Sequence, residues 1–277
     1  MINWDIRKLD NPEALKEVEV LQGQVWPGDP VDIVPVHMLL AAIHNGGLLL
    51  GAFKDNQLIG FSFGFPGMIS SQDGNRIKHC SHMLGVHPQW RDVGVGFALK
   101  CAQRQSIIEQ GLDLITWTYD PLLSRNATLN INRLGAVCNI YRRSEYGPMR
   151  DRVNAGLDSD RFQVDWWVKS KRVEERLKSG RGQRLQLSDL PWKNVEIIKM
   201  RMENQPDSKA PEFNQPMVVV EIPVDFNKLK ETDISLAKSW RDATRVIFEK
   251  AFTLGYLVNE FISDQGRSFY IMTTQSG

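Results

Sequence analysis

The sequence lacks the marks of several large protein classes. Its three cysteines, Cys80, Cys101 and Cys138, are odd in number and not closely paired. This argues against a disulfide scaffold or a zinc site, so we expect no metal and a cytoplasmic protein with reduced thiols. The net charge is only +1, which gives no reason to expect a nucleic-acid or membrane partner. The N-terminus is charged where a signal peptide would be apolar, and the apolar runs are too short to span a bilayer.

A nucleotide P-loop is also absent, because no Gly-Lys pair is followed by Ser or Thr. In its place stands Arg91-Asp92-Val93-Gly94-Val95-Gly96, between a short apolar run that ends at Val86 and a segment with helical spacing that stops near Gly111. Two glycines one residue apart at a helix start let backbone N–H groups converge on an anion. The order strand, glycine loop, helix, strand therefore predicts a site for a phosphate-bearing cofactor.

Two other interpretations of this loop remain open. A dinucleotide-binding fingerprint needs Gly or Ala where Leu99 stands, and Asp113, which would serve as its ribose carboxylate, opens the next strand instead of ending it. The glycines could also do no more than make a tight turn from strand to helix. A nucleotide-binding regulatory domain is the functional counterpart of the first interpretation.

The arginine-first form of the loop, preceded by Val86-His87-Pro88, resembles the acyl-CoA-binding motif of the GCN5-related N-acetyltransferase (GNAT) superfamily. A second segment, Ser124 to Ala136, ends in Leu134-Gly135 before a new strand. It resembles the superfamily's helix that ends in Leu-Gly-Phe. The resemblance covers about residues 1–175 and implies that acetyl-CoA or another acyl-CoA is the cofactor.

The resemblance also implies which residues hold this cofactor. The strand segment Leu84-Gly85-Val86 would lend backbone groups to the pantetheine arm and the thioester carbonyl, and the loop from Arg91 to Gly96 would hold the pyrophosphate. Asn126 and Asn130 are four residues apart, hence on one helical face, where they could bond the cofactor's amide groups. The plain alternative is that both asparagines cap or solvate a short helix.

One departure from the superfamily bears on catalysis. Many members have a tyrosine three residues before the Leu-Gly pair, which protonates the departing thiolate, and here that position is Ile131. Tyr141 is the substitute that we predict. His82 lies on the strand expected to line the site and titrates near neutral pH, so it is the candidate base, although a lone histidine is more often a packing residue.

The pattern along the chain predicts an α/β fold with a mixed, mostly antiparallel central sheet flanked by helices, as in the GNAT acyltransferases. Strands before the loop include a hairpin around Asp55-Asn56. We expect a first domain over residues 1–175 and a C-terminal extension over residues 176–277 that runs strand, helix, strand, strand. That extension is interpreted as a degenerate GNAT half, a substrate-covering module or an oligomerisation arm.

The resemblance implies an acyl-CoA-dependent N-acyltransferase that transfers an acetyl or a succinyl group to the amine of a small molecule or amino acid. A direct attack by the amine is the expected mechanism. The alternative, motivated by Ile131, is a protein that binds acyl-CoA without transferring the acyl group. The acceptor is not identified by the sequence, and a homodimer is one open arrangement.

Overall fold

A computed structural model describes residues 4–71, 74–147, 157–179, 185–191, 195–198 and 212–274. The chain divides into two compact units. Unit 1 comprises residues 1–117 and 167–169, and unit 2 comprises residues 118–166 and 170–277. The domain boundary after residue 175 stays a prediction.

Unit 1 is built on a sheet in the order β1-β2-β3-β4-β5. Its strands are β1 Asp5–Lys8, β2 Leu48–Lys54, β3 Gln57–Ser71, β4 Gly74–Val86 and β5 Leu114–Tyr119, and β5 continues past Trp117, the last residue of this segment of unit 1. Neighbouring strands are antiparallel except for β4 and β5, which are parallel and are connected through a helix. The hairpin between β2 and β3 turns at Asp55 and Asn56, both of which have positive φ, as a two-residue hairpin loop requires.

Helices cover both faces of this sheet. They are α1 Pro12–Val25, α2 Val36–His44 and α3 Val95–Glu109, with short 3₁₀ turns at Pro30–Asp32 and Pro88–Trp90. The Asn11 side chain caps α1 by accepting from the Ala14 N–H at 3.0 Å. Phe61 of β3 packs into the core with α1, whereas a Cβ placed on its neighbour Gly60 would meet Val95 and Leu99 of α3. The period-two alternation of β3 thus separates the two helical layers.

In unit 2 the strand order is β7-β6-β10-β11-β9-β8. Its strands are β6 Val137–Arg142, β7 Arg161–Trp167, β8 Val195–Ile198, β9 Met217–Ile222, β10 Tyr256–Asp264 and β11 Arg267–Thr274. Its helices are α4 Ser124–Ala127, which continues as a π-helix over Thr128–Arg133, α5 Lys171–Ser179, α6 Phe226–Thr232 and α7 Ile234–Thr253, with a 3₁₀ turn at Leu187–Asp189. Pairing is antiparallel except between β8 and β9.

The predicted fold class is confirmed, since the strand pairing in each unit is mixed and mostly antiparallel and helices accompany the strands. The predicted C-terminal order is also found, as β9, α7, β10 and β11, but α6 precedes α7 and was not predicted. The polar, glycine-containing sequence of residues 178–183 predicts a linker, which is wrong at its start, because α5 extends to Ser179; residues 180–183 lie outside the described ranges. The predicted helix over Ser124–Ala136 is present but leaves α geometry at Thr128.

Candidate active site

The glycine loop forms an anion-binding shape at the start of α3. Asp92 and Gly94 have φ of +66° and +100°, while Val93 between them is not left-handed. This alternation turns successive main-chain N–H groups toward one concave side. Gly94 is the N-cap of α3, and no side chain caps it. The first turn of a helix of this length offers N–H donors and the positive end of the helix dipole, so the loop is suited to a phosphate.

Arg91 ties the loop to the rest of unit 1. Its Nε donates to the Val86 carbonyl at 3.3 Å, and its Nη2 donates to the Val25 carbonyl at 3.2 Å. The guanidinium therefore fixes the ends of β4 and α1 next to the loop. A direct contact between Arg91 and a cofactor stays a prediction.

The glycines predicted to bind cofactor have different structural requirements. Gly94 has open space around it, but its positive φ disfavours any side chain. A Cβ on Gly96 would make ordinary contacts with Leu84 at 3.7 Å and Val86 at 3.8 Å. A Cβ on Gly85 would lie 2.6 Å from the Phe61 ring. Gly85 is thus needed for packing, and Leu84 and Val86 do lie next to the start of α3.

Strands β4 and β5 pair over a short stretch only. Their Cα partners are His79 with Ile115 and Cys80 with Thr116. From Ser81 to Val86, β4 pairs with β3 alone within the part of the chain that the structure describes. Apart from the Val86 carbonyl, which accepts from Arg91, main-chain polar groups on the other edge of this segment are therefore available to an extended ligand that carries amide groups. The segment predicted to contact the pantetheine arm lies along this edge.

His82 is the extra residue of a β-bulge in β4, since Phe63 pairs with Met83 and Gly64 with Ser81. Bulges re-aim side chains and are common beside active sites. The imidazole is exposed on one side and lies against the Phe63 and Phe65 rings, with centroids 6.2 and 5.8 Å away. Desolvation in this setting lowers the pKa of His82, so the neutral ring that can accept a proton dominates at pH 7.

The remaining predicted residues lie in unit 2. Asn126 is half-buried and Asn130 is buried; the shared face that we predicted for them assumed α geometry, which ends at Thr128 between them. The Ile131 side chain is fully buried. Short π-helical segments of this kind often occur at functional sites. Cofactor contacts of both asparagines stay predictions.

Tyr141 also belongs to unit 2, at the start of a charged network. Its hydroxyl donates to Asp160 Oδ2 at 2.7 Å, and the same carboxylate accepts from Arg245 Nε at 2.7 Å. Burial, followed by the neighbouring charge of Asp160, raises the pKa of Tyr141 far above its ordinary value. The hydrogen bond to Asp160 holds the Tyr141 hydroxyl in place. The role of Tyr141 as proton donor stays a prediction.

Sequence reasoning missed a buried polar cluster in unit 1, formed by His79, Ser81, Lys100 and Gln103. The sequence does contain a sign of this cluster. Lys100 and Gln103 follow Gly96 at the spacing of the buried face of α3, and Ile107 continues the same face. A charged residue on such a face requires partners. The helix α3 was predicted from its apolar residues alone, so Lys100 and Gln103 were not recognised as part of its buried face.

Within the described ranges, no group of three or more His, Cys, Asp or Glu side chains is placed to hold a metal ion. None of the described helices combines the length and the apolar character needed to cross a membrane. The three cysteines are free thiols.

No family model matches the sequence, and no curated protein matches it either. Among solved structures, the ribosomal-protein-S18-alanine N-acetyltransferase from Escherichia coli matches with a TM-score of 0.48 at 13% identity, over 61% of this chain and 96% of that one. An acetyltransferase of the GNAT family from Streptococcus pneumoniae gives 0.46 at 12% identity, over 59% and 98%. The Paia N-acetyltransferase from Thermoplasma acidophilum, in complex with coenzyme A, gives 0.40 at 18% identity, over 59% and 98%.

Proposed function

We propose that the chain binds acyl-CoA in unit 1 and transfers the acyl group to an amine, as a GNAT-type N-acyltransferase. The observation that carries this proposal is the combination of two features along one strand. Among the described residues, the segment from Ser81 to Val86 pairs on one edge only, and the loop that follows it ends at a helix N-terminus without a side-chain cap. One extended ligand with amide groups at one end and a pyrophosphate at the other satisfies both features.

In this proposal each part of the cofactor contacts a different part of unit 1. The N–H groups at the start of α3 hold the pyrophosphate, and the free edge of β4 bonds the amides of the pantetheine arm. Leu84 and Val86 flank Gly96 and supply apolar contact there. Arg91 acts as a positioning residue that keeps the loop at the end of β4.

The transfer step needs a neutral amine and a polarised thioester carbonyl. We assign the base to His82, whose bulge position and lowered pKa suit proton uptake at pH 7. The amine nitrogen attacks the carbonyl carbon, the C–S bond breaks, the ammonium proton passes to His82 and CoA leaves as a thiolate. The acceptor that we propose is a small molecule or amino acid with a free amine, in a cytoplasmic setting compatible with free thiols.

Titration calorimetry with CoA, acetyl-CoA and NAD tests the cofactor assignment. Micromolar binding of a CoA species, about −8 kcal/mol, is expected, with no comparable binding of NAD. Gly96→Glu should remove CoA binding because it places a carboxylate in the pyrophosphate site. Gly96→Ala is the matched control, since its Cβ fits. Retained affinity in folded Gly96→Glu protein would exclude the proposed cradle.

The role of His82 is tested by His82→Gln. We expect kcat to fall about a hundredfold, with acetyl-CoA affinity unchanged. The acidic limb of the pH–kcat/KM profile should lie below pH 6.5, because the pKa of this ring is lowered, and the variant should lose that limb. An unchanged profile would assign the proton transfer to another group.

A second candidate is an acyl-CoA-binding protein without transfer activity. It is favoured by the buried Ile131 at the position of the usual acid and by the bond that Tyr141 donates to Asp160. Tight acetyl-CoA binding without turnover on a broad panel of amines would support it.

A further inference from the structure

Lys100 and its neighbours form a fully buried polar cluster on the α3 side of the unit 1 sheet. Lys100 Nζ donates to Ser81 Oγ at 2.7 Å and to Gln103 Oε1 at 3.2 Å, and it lies 3.7 Å from the centre of the Trp117 ring. The Ser81 hydroxyl donates to Gln103 Oε1 at 3.0 Å. Lys100 is 2% exposed, so its charge is held away from water.

The cluster lies where β4 and β5 separate. The last parallel pair is Cys80 with Thr116, and the next residue on each strand, Ser81 and Trp117, contacts Lys100. The free edge of β4 begins at the same point. A thioester held along this edge has its acyl end toward the cluster, because the pyrophosphate loop is at the opposite end of the edge.

Within the described residues, Lys100 lacks a negatively charged partner and His79 lacks one hydrogen-bond partner. Burial lowers the pKa of Lys100 to about 7, and no carboxylate of the described residues lies near enough to offset this. His79, which contacts Gln103 at 3.3 Å through Nε2, has no partner for its Nδ1. The His79 side chain is completely buried, and unsatisfied buried polar atoms are rare in native structures.

We propose that this cluster receives the free carboxylate of a dicarboxylic acyl group, so that the donor is a carboxyacyl-CoA such as succinyl-CoA. The inference rests on the proposed function, because it assigns the acyl class of the same cofactor. A carboxylate supplies the missing counter-charge for the Lys100 ammonium and accepts from the Ser81 hydroxyl in place of Gln103 Oε1, which still accepts from Lys100. An acetyl group leaves the charge buried and unpaired. The preference should therefore arise from Lys100 and Ser81.

The experiment is calorimetry of the full chain at pH 7 with three probes: CoA, acetyl-CoA and succinyl-CoA. We expect succinyl-CoA to bind at least about tenfold more tightly than acetyl-CoA. Lys100→Met keeps the length of the side chain and removes its charge, so the two thioesters should then bind equally. Ser81→Ala, a smaller change, should reduce the preference about threefold or more. Lys54→Met, at an exposed lysine, is the control that should retain it.

The outcomes separate the two proposals. Binding of CoA and acetyl-CoA without a succinyl preference would overturn the carboxyacyl inference and leave the cofactor assignment intact. A preference that survives both Lys100→Met and Ser81→Ala would also overturn it. If none of the three probes binds, the proposed function fails and the inference fails with it.

Discussion

Replacing Lys100 with methionine should make the protein more stable at neutral pH. The ammonium is buried without a counter-ion, and its removal leaves no polar group stranded, since the Ser81 hydroxyl still donates to Gln103 at 3.0 Å. Methionine has similar length and adapts to irregular space. The substitution thus removes an uncompensated charge and keeps the packing of α3 on the sheet.

The size of the effect follows from the lowered pKa. Lys100 titrates near 7 in the folded chain against an ordinary value of 10.5, and each pH unit corresponds to about 1.4 kcal/mol, which gives a cost of roughly 5 kcal/mol at most. Between pH 7 and 10.5 the unfolded lysine holds a proton that the folded one has lost. The free energy of unfolding of the wild type therefore rises with pH in this window. The cost is fully present below pH 7 and absent above 10.5.

Urea unfolding followed by tryptophan fluorescence, at pH values from 6.5 to 9.5, measures this dependence. The advantage of Lys100→Met over the wild type should shrink by about 2–3 kcal/mol between pH 7.5 and 9.5. Lys54→Met is the control, because that lysine is exposed and should show no such trend. A constant difference between Lys100→Met and wild type across this range would refute the reasoning, as would a variant less stable at every pH.

Two further substitutions test side-chain packing, one in each unit. Gly64→Ala should lower the free energy of unfolding by about 2 kcal/mol or more, because its Cβ would lie 2.3 Å from the His79 ring. Gly67→Ala is the control and should be tolerated, because the nearest contact of its Cβ is at 3.5 Å. Equal melting temperatures of the two variants would contradict the placement of His79. In unit 2, Arg176→Met should cost about 3–5 kcal/mol by stranding the buried carboxylate of Glu260. Adding Glu260→Met should recover at least about half of that loss in urea unfolding, and no recovery would show that Arg176 acts through packing.

Local chemistry explains which features the sequence predicted. Asp55-Asn56 and Gly94 determine backbone conformations within a few residues, so the hairpin and the start of α3 were found. The helix over Phe226–Thr232 is capped by Asp225, but seven residues show too little periodicity to be recognised. The four-residue strand β8 has the same difficulty, because its extended form depends on pairing with β9.

Non-local contacts explain what the sequence could not predict. Residues 167–169 belong with unit 1 because the Val168 N–H donates to the Asp113 carbonyl, and the Val168 carbonyl accepts from Arg104 Nε. Likewise, Tyr141 was predicted as an acid from its type, and only the fold brings Asp160 to its hydroxyl. The partners of a polar side chain, and hence its chemistry, are set by segments distant in the chain.

The short pairing between β4 and β5 has a consequence for dynamics. Amides from Ser81 to Val86 that face away from β3 exchange hydrogen with water faster than those bonded to β3. A ligand seated on that edge takes the place of a neighbouring strand and slows their exchange. It thereby raises the melting temperature of unit 1 in proportion to the logarithm of its concentration. In the proposed binding mode the cofactor becomes a structural part of the sheet, so its occupancy can be followed by hydrogen exchange without any acceptor amine.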